Sequence, residues 1–274
     1  MIITTRNEEE HIEACLKSIA RQTHTHIECI VVDNASSDNT KKRARCFTPH
    51  VFNKGPERSA QRNYGASKAH GKYLLFLDAD MELIPRVVEE CIAKIHDLRP
   101  TTYERSALII PEKSIGSGFW AQCKILERSF YEDVDWMEAA RFYDKTAFTA
   151  LGGFDETLTG PEDFDLSQRV RERFGRLSVR RTDSYIYHNE GTIRLTDLLY
   201  KKYYYGKKMT RYLGKKQNTG AFAKQANPLF RYGLFFRKPR LLLSDPIHAI
   251  GLFIMKTLEL GALAAGALSS KFIK

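Results

Sequence analysis

The triplet Asp78-Ala79-Asp80 closes the apolar run Tyr73-Leu74-Leu75-Phe76-Leu77. In an extended chain residues i and i+2 point to one side, so both carboxylates face one ligand while Ala79 turns toward the core. Two close carboxylates repel unless a cation sits beside them. Hard ions such as Mg²⁺ or Mn²⁺ take oxygen ligands and bridge to substrate phosphates, which makes a metal-bound nucleoside diphosphate the expected ligand. The same triplet equally suits a strand-end turn in which Asp caps backbone groups. Two more polar clusters follow apolar runs: Thr4-Thr5-Arg6-Asn7-Glu8 after Ile2-Ile3, and Asp33-Asn34 after Ile30-Val31-Val32.

These clusters need a scaffold that brings strand ends together. Strands are expected at Ile2–Thr4, Ile27–Val32, Val51–Phe52, Tyr73–Leu77, Ala107–Ile110 and Val179–Tyr187, several too apolar to have a solvent side, as in a sheet covered on both faces. Between them lie helical stretches. Asn7 with Glu10 has the form of a helix start, and Ile12, Cys15, Leu16 and Ile19 recur on one helical face. Further helices are expected after Asp33, from about Pro56 to Ala69 and from Pro85 to Leu98. Strand alternating with helix argues for a doubly wound α/β sheet, whose ligands bind beyond the C-terminal strand ends.

Three blocks give this pattern a family likeness: IITTRNEEEHIEACLKSIARQTHTHIECIVVDNASSDNT over 2–40, RNYGASKAHGKYLLFLDAD over 62–80, and GGFDETLTGPEDFDLSQR over 152–169. In order and spacing they resemble the family 2 glycosyltransferases of the GT-A fold, over roughly residues 2–190. Thr4 stands where that family usually has Pro, and Asn34 where a second Asp is common. The resemblance implies that Thr5, Glu8 and Asp33 line a nucleoside, with Asp33 accepting from the base. Arg62 would lie near the diphosphate or close the nucleotide pocket, its planar fork suiting that role; a solvated helix position is the alternative. Asp78 would contact ribose or sugar, Asp80 would bind Mg²⁺ or Mn²⁺, and His188 would add a metal or diphosphate contact, although a lone His also serves as a surface or capping residue.

Glu162-Asp163 matches the family's Glu-Asp motif, in which the Asp is the general base. An incoming hydroxyl attacks the anomeric carbon as the nucleotide leaves, and a carboxylate within reach removes its proton. The single displacement implied by the family inverts the anomeric centre. Acids in the first turn of a helix, after Pro161, also offset the helix dipole with no catalytic duty.

The charge of the chain is uneven. Residues 191–240 hold 13 basic side chains and one acid, Asp197, whereas residues 1–190 hold 27 basic and 30 acidic groups; the formal total is +10. A globally basic nucleic-acid binder is therefore disfavoured, and no nucleic-acid partner is expected. With 43% hydrophobic residues the chain can bury a full core. Five cysteines without a CxxC pair read as reduced thiols, and the start MIITTRNEEE lacks a signal pattern, so a cytoplasmic protein is expected.

Leu195–Leu213 mixes Lys201, Lys202, Lys207, Lys208 and Arg211 with tyrosines including Tyr212, a composition that suits single-stranded nucleic acid, an anionic membrane surface or a solvated helix. Pro246–Ser270 is apolar apart from Lys256 and Glu259, and its uncharged stretches of 10 and 11 residues are each short for a bilayer span. A hairpin or helix lying in the interface is the first expectation, a spanning helix with an internal Lys256–Glu259 pair the second, and a soluble core or dimer helix the third.

The expected architecture is thus a GT-A domain over 1–190, Rossmann-like with a doubly wound mixed sheet, and a helical membrane-associating region over 191–274. The expected activity is inverting transfer from a nucleotide-sugar donor to a hydroxyl of a lipid-linked or membrane-presented glycan, on the cytoplasmic face of the membrane. The alternatives are a polyprenyl-phosphate glycosyltransferase and a non-catalytic membrane or RNA binding module.

Overall fold

In the computed structural model, residues 1–97, 107–134, 136–213 and 227–272 are described. The side chains of Arg211 and Tyr212, and parts of the 191–274 region, lie outside them. The chain forms two units. The first comprises Met1–Glu112, Ala139–Glu156 and Glu162–His188, and the second Lys113–Glu138, Thr157–Pro161 and Asn189–Lys274.

A seven-stranded sheet runs through the first unit: β1 (Ile2–Thr5), β2 (Ile30–Asp33), β3 (Val51–Asn53), β4 (Tyr73–Asp78), β6 (Ala107–Ile109), β8 (Phe142–Asp144) and β9 (Val179–Arg181). Their order is β3-β2-β1-β4-β8-β6-β9, with β8 antiparallel to both neighbours and the other pairings parallel. Neighbouring residues of one strand enter opposite cores. Ile3, Val31, Leu75 and Leu77 pack on one face, and Ile2, Ile30, Val32 and Phe76 on the other. Helices α1 (Ile12–Ala20), α2 (Thr40–Ala44), α3 (Arg58–Lys68), α4 (Val87–Asp97), α6 (Lys145–Ala150) and α7 (Glu162–Phe174) complete this unit. Double coverage explains why the strands read as uninterrupted apolar runs. This is the mixed α/β sheet with helices on both faces that was expected.

Several local expectations change. Asn7 does not cap α1: it lies at φ 53°, and its Oδ1 accepts from Ser37 N at 2.9 Å. Helix α1 begins at Ile12 with no side-chain cap. Residues 27–29 fall outside β2, where Ile27 N donates to Thr25 O in a turn. The run Val179–Tyr187 breaks into β9 and β10 (Ile186–Thr192), because Glu90 of α4 captures the N–H groups of Asp183 and Ser184 at 2.6 and 2.7 Å. Strand β10 pairs antiparallel with β5 (Met81–Leu83), which sets His188 opposite Met81.

The second unit contains most of β7 (Glu112–Ser117), α5 (Phe119–Ser129), α8 (Leu195–Leu213), α9 (Pro228–Phe235), α10 (Pro239–Ser244) and α11 (Pro246–Phe272). Its core is Cys123, Phe130, Leu234, Phe235, Leu252 and Met255 among others. Helices α8 and α11 run in backbone contact: a Cβ at Gly206 would collide with Leu263 O, and one at Gly266 with Tyr203 O. Only residues without a side chain permit this approach. Helix α11 is one continuous helix, so the hairpin reading of Pro246–Ser270 does not hold.

Candidate active site

The first unit gathers charged side chains at the C-terminal ends of β1 and β4. Arg58 and Arg62, four residues apart, share a face of α3. The α3 helix is fixed there by Gln61, whose Nε2 donates to Thr5 O at 3.0 Å and Val32 O at 2.6 Å. Arg62 has no solvent exposure. Its Nη1 donates to Asp163 Oδ1 at 2.5 Å and its Nη2 to Asp78 Oδ1 at 3.1 Å, while Phe154 lies under the guanidinium, 5.2 Å from ring centroid to Cζ. A solvated helix position therefore does not describe Arg62.

Around this link the charges nearly balance. Arg58 lies 3.6 Å from Asp78 and 3.8 Å from Glu162, and Arg141 lies 4.0 Å from Asp78 and 2.6 Å from Glu112. Thr4 Oγ1 also donates to Asp78. Burial alone would favour a neutral Asp78, but Arg62, Arg58 and Arg141 outweigh it and hold the carboxyl far below the usual range. Burial likewise opposes the charge on Arg62, and Asp163 and Asp78 overcome it. Glu162 moves the other way: burial and then the neighbouring Asp163 carboxylate raise it. Both acids sit in the first turn of α7, where the helix dipole favours negative charge.

Asp80 turns to a different partner. Its Oδ2 lies 3.4 Å from His188 Nε2, and His188 Nδ1 meets Glu112 Oε2 at 3.0 Å. Burial would discharge His188, but contacts with the Asp80 and Glu112 carboxylates raise it to about 10. Asp80 Oδ1 is buried without a hydrogen-bond partner. The orphaned carboxylate oxygen of Asp80 fits a divalent cation, and His188, which the two carboxylates keep protonated in the metal-free chain, would release its proton to ligate beside it. Among the described residues no three His, Cys, Asp or Glu side chains form a metal cage. Two protein ligands, with diphosphate and water oxygens completing the shell, is the manner in which Mg²⁺ is commonly held.

The residues expected at the nucleoside lie along the same edge. Thr5 and Asp33 are direct neighbours in the β1–β2 register. Thr5 is buried with its Oγ1 unpartnered, and Asp33 is enclosed, accepting from Ser36 N at 2.8 Å and Ser36 Oγ at 2.5 Å. Glu8 meets His11 Nδ1 at 2.8 Å; burial raises its carboxyl, with Asp80 and Asp78 contributing. Arg58, Arg141, Glu112 and Thr4 were not foreseen as site residues. Arg58 had a signal, its i−4 spacing from Arg62. Arg141 and Glu112 reach the site through long-range contacts that no local pattern reports.

The family model "Glycosyl transferase family 2" matches residues 1–113. An uncharacterized glycosyltransferase, YibD, of Escherichia coli is 35% identical over 97 residues, covering 32% of this chain and 28% of that protein. The GalNAc(5)-diNAcBac-PP-undecaprenol beta-1,3-glucosyltransferase of Campylobacter jejuni is 30% identical over 107 residues, 35% of this chain and 34% of its own. The match thus spans about a third or less of these relatives. Among solved structures, the mannosyltransferase PcManGT of Pyrobaculum calidifontis, in complex with GDP-Man and Mn²⁺, aligns with all of this chain and 86% of its own, with TM-score 0.59 and 16% identity. Residues 1–113, with the strands that carry Thr5, Asp33, Asp78 and Asp80, thus match the glycosyltransferase family 2 model, and the chain shares the GT-A fold of its structural neighbours.

Proposed function

We propose that the protein transfers a sugar from a nucleotide-diphosphate donor to a hydroxyl of a lipid-linked or other membrane-presented acceptor, with inversion at the anomeric carbon. The observation that carries this reading is the Arg62 bridge, which ties the candidate base Asp163 to Asp78 at the donor end. Arg62 occupies only Oδ1 of Asp163, which leaves Oδ2 to take the acceptor proton as the hydroxyl attacks. Glu162 is buried behind it and pairs with Arg58, so it positions the helix end and the arginines. Thr5, Glu8 and Asp33 form the nucleoside edge, with Thr5 Oγ1 free to meet the donor.

A divalent cation held by Asp80 and His188 would neutralise charge on the departing diphosphate. The Mn²⁺ of the mannosyltransferase complex supports the metal, and the undecaprenol-linked substrate in the Campylobacter enzyme's name supports a lipid-linked acceptor. A phosphate acceptor is already ionised and has no need of a base, so the placement of Asp163 favours a hydroxyl acceptor.

The test is Asp163→Asn, assayed for transfer to a hydroxyl acceptor beside nucleoside-diphosphate binding by thermal shift. Turnover is expected to fall by about 10²- to 10⁴-fold with binding retained. Unchanged turnover would remove Asp163 from the mechanism, and absence of any transfer or donor hydrolysis by the wild type would favour a binding module.

A further inference from the structure

The longest helix of the chain turns its charges inward. Along α11, Lys256 and Glu259 are buried and pair with each other; Lys256 also reaches Glu127 Oε1 on α5 at 2.8 Å. Lys124 of α5 stands 2.8 Å from Glu127 and 3.7 Å from Glu259, and Lys202 of α8 stands 3.8 Å from Glu259. The outward stripe is Ile247, Ile250, Ile254, Leu258 and Leu268, between 42% and 69% exposed. No Asp, Glu, Lys or Arg between Pro246 and Ser269 is exposed. A helix facing water has the opposite arrangement, with charges out and apolar residues in.

The apolar exposure continues on α9 and α10 and the turn between them. Leu229, Phe230, Phe236 and Leu243 are each more than half exposed. Residues 227–244 contain no acid, and Arg237 and Arg240 among them are exposed, whereas Arg231 belongs to the buried network around Glu127 and Lys238 donates to Ser129 O. Large apolar side chains beside unopposed cations match the hydrocarbon boundary and headgroups of an anionic bilayer.

We infer that this surface, the outward stripe of α11 with the exposed ridge of α9 and α10, lies on an anionic membrane with α11 in the plane of the interface. Pro246–Ser269 is long and apolar enough to cross a bilayer. Crossing would carry α5 along with it, because Lys256 is tied to Glu127, and would take Lys124, Glu127 and Arg128 toward hydrocarbon. Lying flat keeps that ion network inside the unit while the uncharged stripe meets lipid. The inference deepens the proposed function and rests on its membrane-presented acceptor.

The experiment is flotation of the full chain with phosphatidylcholine vesicles, with and without phosphatidylglycerol. The wild type is expected to float with the anionic vesicles and to be released by alkaline carbonate. Ile250→Glu/Ile254→Glu should reduce flotation on the order of tenfold, and Arg237→Glu/Arg240→Glu should remove the dependence on anionic lipid. Circular dichroism and nucleoside-diphosphate binding check that each variant is folded. Four results overturn the inference: no flotation of the wild type, flotation unaffected by the stripe variant, resistance to carbonate (a crossing helix), or a lipid-free dimer that the stripe variant dissociates (a surface between copies). Transfer to a soluble acceptor is measured in parallel. Lost flotation with retained transfer counts against the membrane surface alone, and retained flotation without transfer against the catalytic reading alone.

Discussion

Arg62 Nη1 donates to Asp163 Oδ1 at 2.5 Å from a guanidinium with no solvent exposure. The same fork reaches Asp78 through Nη2, so two carboxylates more than 80 residues apart in sequence depend on one cation. Removing a buried partner leaves the others uncompensated, which costs far more than the intact pair contributes. Arg62→Ala is therefore expected to lower unfolding free energy by about 3–5 kcal/mol in urea denaturation. Arg62→Lys keeps the charge but loses the bidentate geometry, and should retain more stability while losing transfer activity by about 100-fold. Equal stability of Arg62→Ala and wild type would show that the bridge does not persist in solution.

The cation site predicts a graded series. Glu112 touches no expected metal directly; it orients His188 through Nδ1 at 3.0 Å. Such outer partners typically change metal affinity by about 10- to 100-fold when mutated. Glu112→Gln should therefore weaken Mn²⁺ dependence of nucleoside-diphosphate binding by that factor, whereas Asp80→Asn should abolish it. Thermal shift with UDP or GDP, titrated with Mn²⁺ and reversed by EDTA, reads both. A metal-dependent shift that is the same in all three proteins would remove Asp80 and His188 from the site.

The covered strands were legible because both faces are buried: Ile30-Val31-Val32 and Leu74-Leu75-Phe76-Leu77 need no solvent side and mark the strand ends where Asp33 and Asp78 sit. The short strands β5 and β8 and helix α5 carry no such run, and β8 is a strand only because β4 and β6 flank it. Asn7 had the residue type of a helix cap, yet its long-range bond to Ser37 prevailed over the local option. The Arg62 bridge was invisible for the same reason: its two partners belong to β4 and α7, and only the sheet brings them together. In α11 the sequence showed two charges in an apolar helix but not which side they face; α5 supplies that side through Glu127.

A pH effect is expected from the turn that breaks β9 from β10. Glu90 accepts from the N–H groups of Asp183 and Ser184 and pairs with Lys94 at 3.2 Å. Burial opposes its charge, but those donors prevail and lower its carboxyl to about 2. A depressed carboxyl stabilises the fold above its unfolded value of about 4.3, and the stabilisation is lost as pH falls from there toward 2. After allowance for solvent screening its contribution is about 1–2 kcal/mol. Glu90→Gln should lose that amount at neutral pH and show a flatter decline between pH 4.5 and 2. Parallel acid unfolding curves for the two proteins would exclude this role.

Lys202 predicts a slope of the same sign at alkaline pH. Burial, then Lys124 and Lys256 beside it, push its ammonium down to about 7, against the attraction of Glu259 and Glu127. Arg231 and the Tyr131 hydroxyl complete this network, and the tyrosine, raised by burial and Glu127, stays protonated throughout the window. A free lysine titrates near 10.4, so between pH 7 and 10 the unfolded chain binds more protons than the folded one. Stability contributed at this site must then rise with pH across that interval. The charged Lys202 is a burden on the fold below pH 7, and Lys202→Met should relieve it. The variant is expected to be more stable than wild type by about 1–2 kcal/mol at pH 7, with the difference shrinking toward pH 10. Urea midpoints at pH 7, 8, 9 and 10 test this directly. A variant less stable at pH 7 would mean that the Lys202–Glu259 contact outweighs the crowding of ammonium groups.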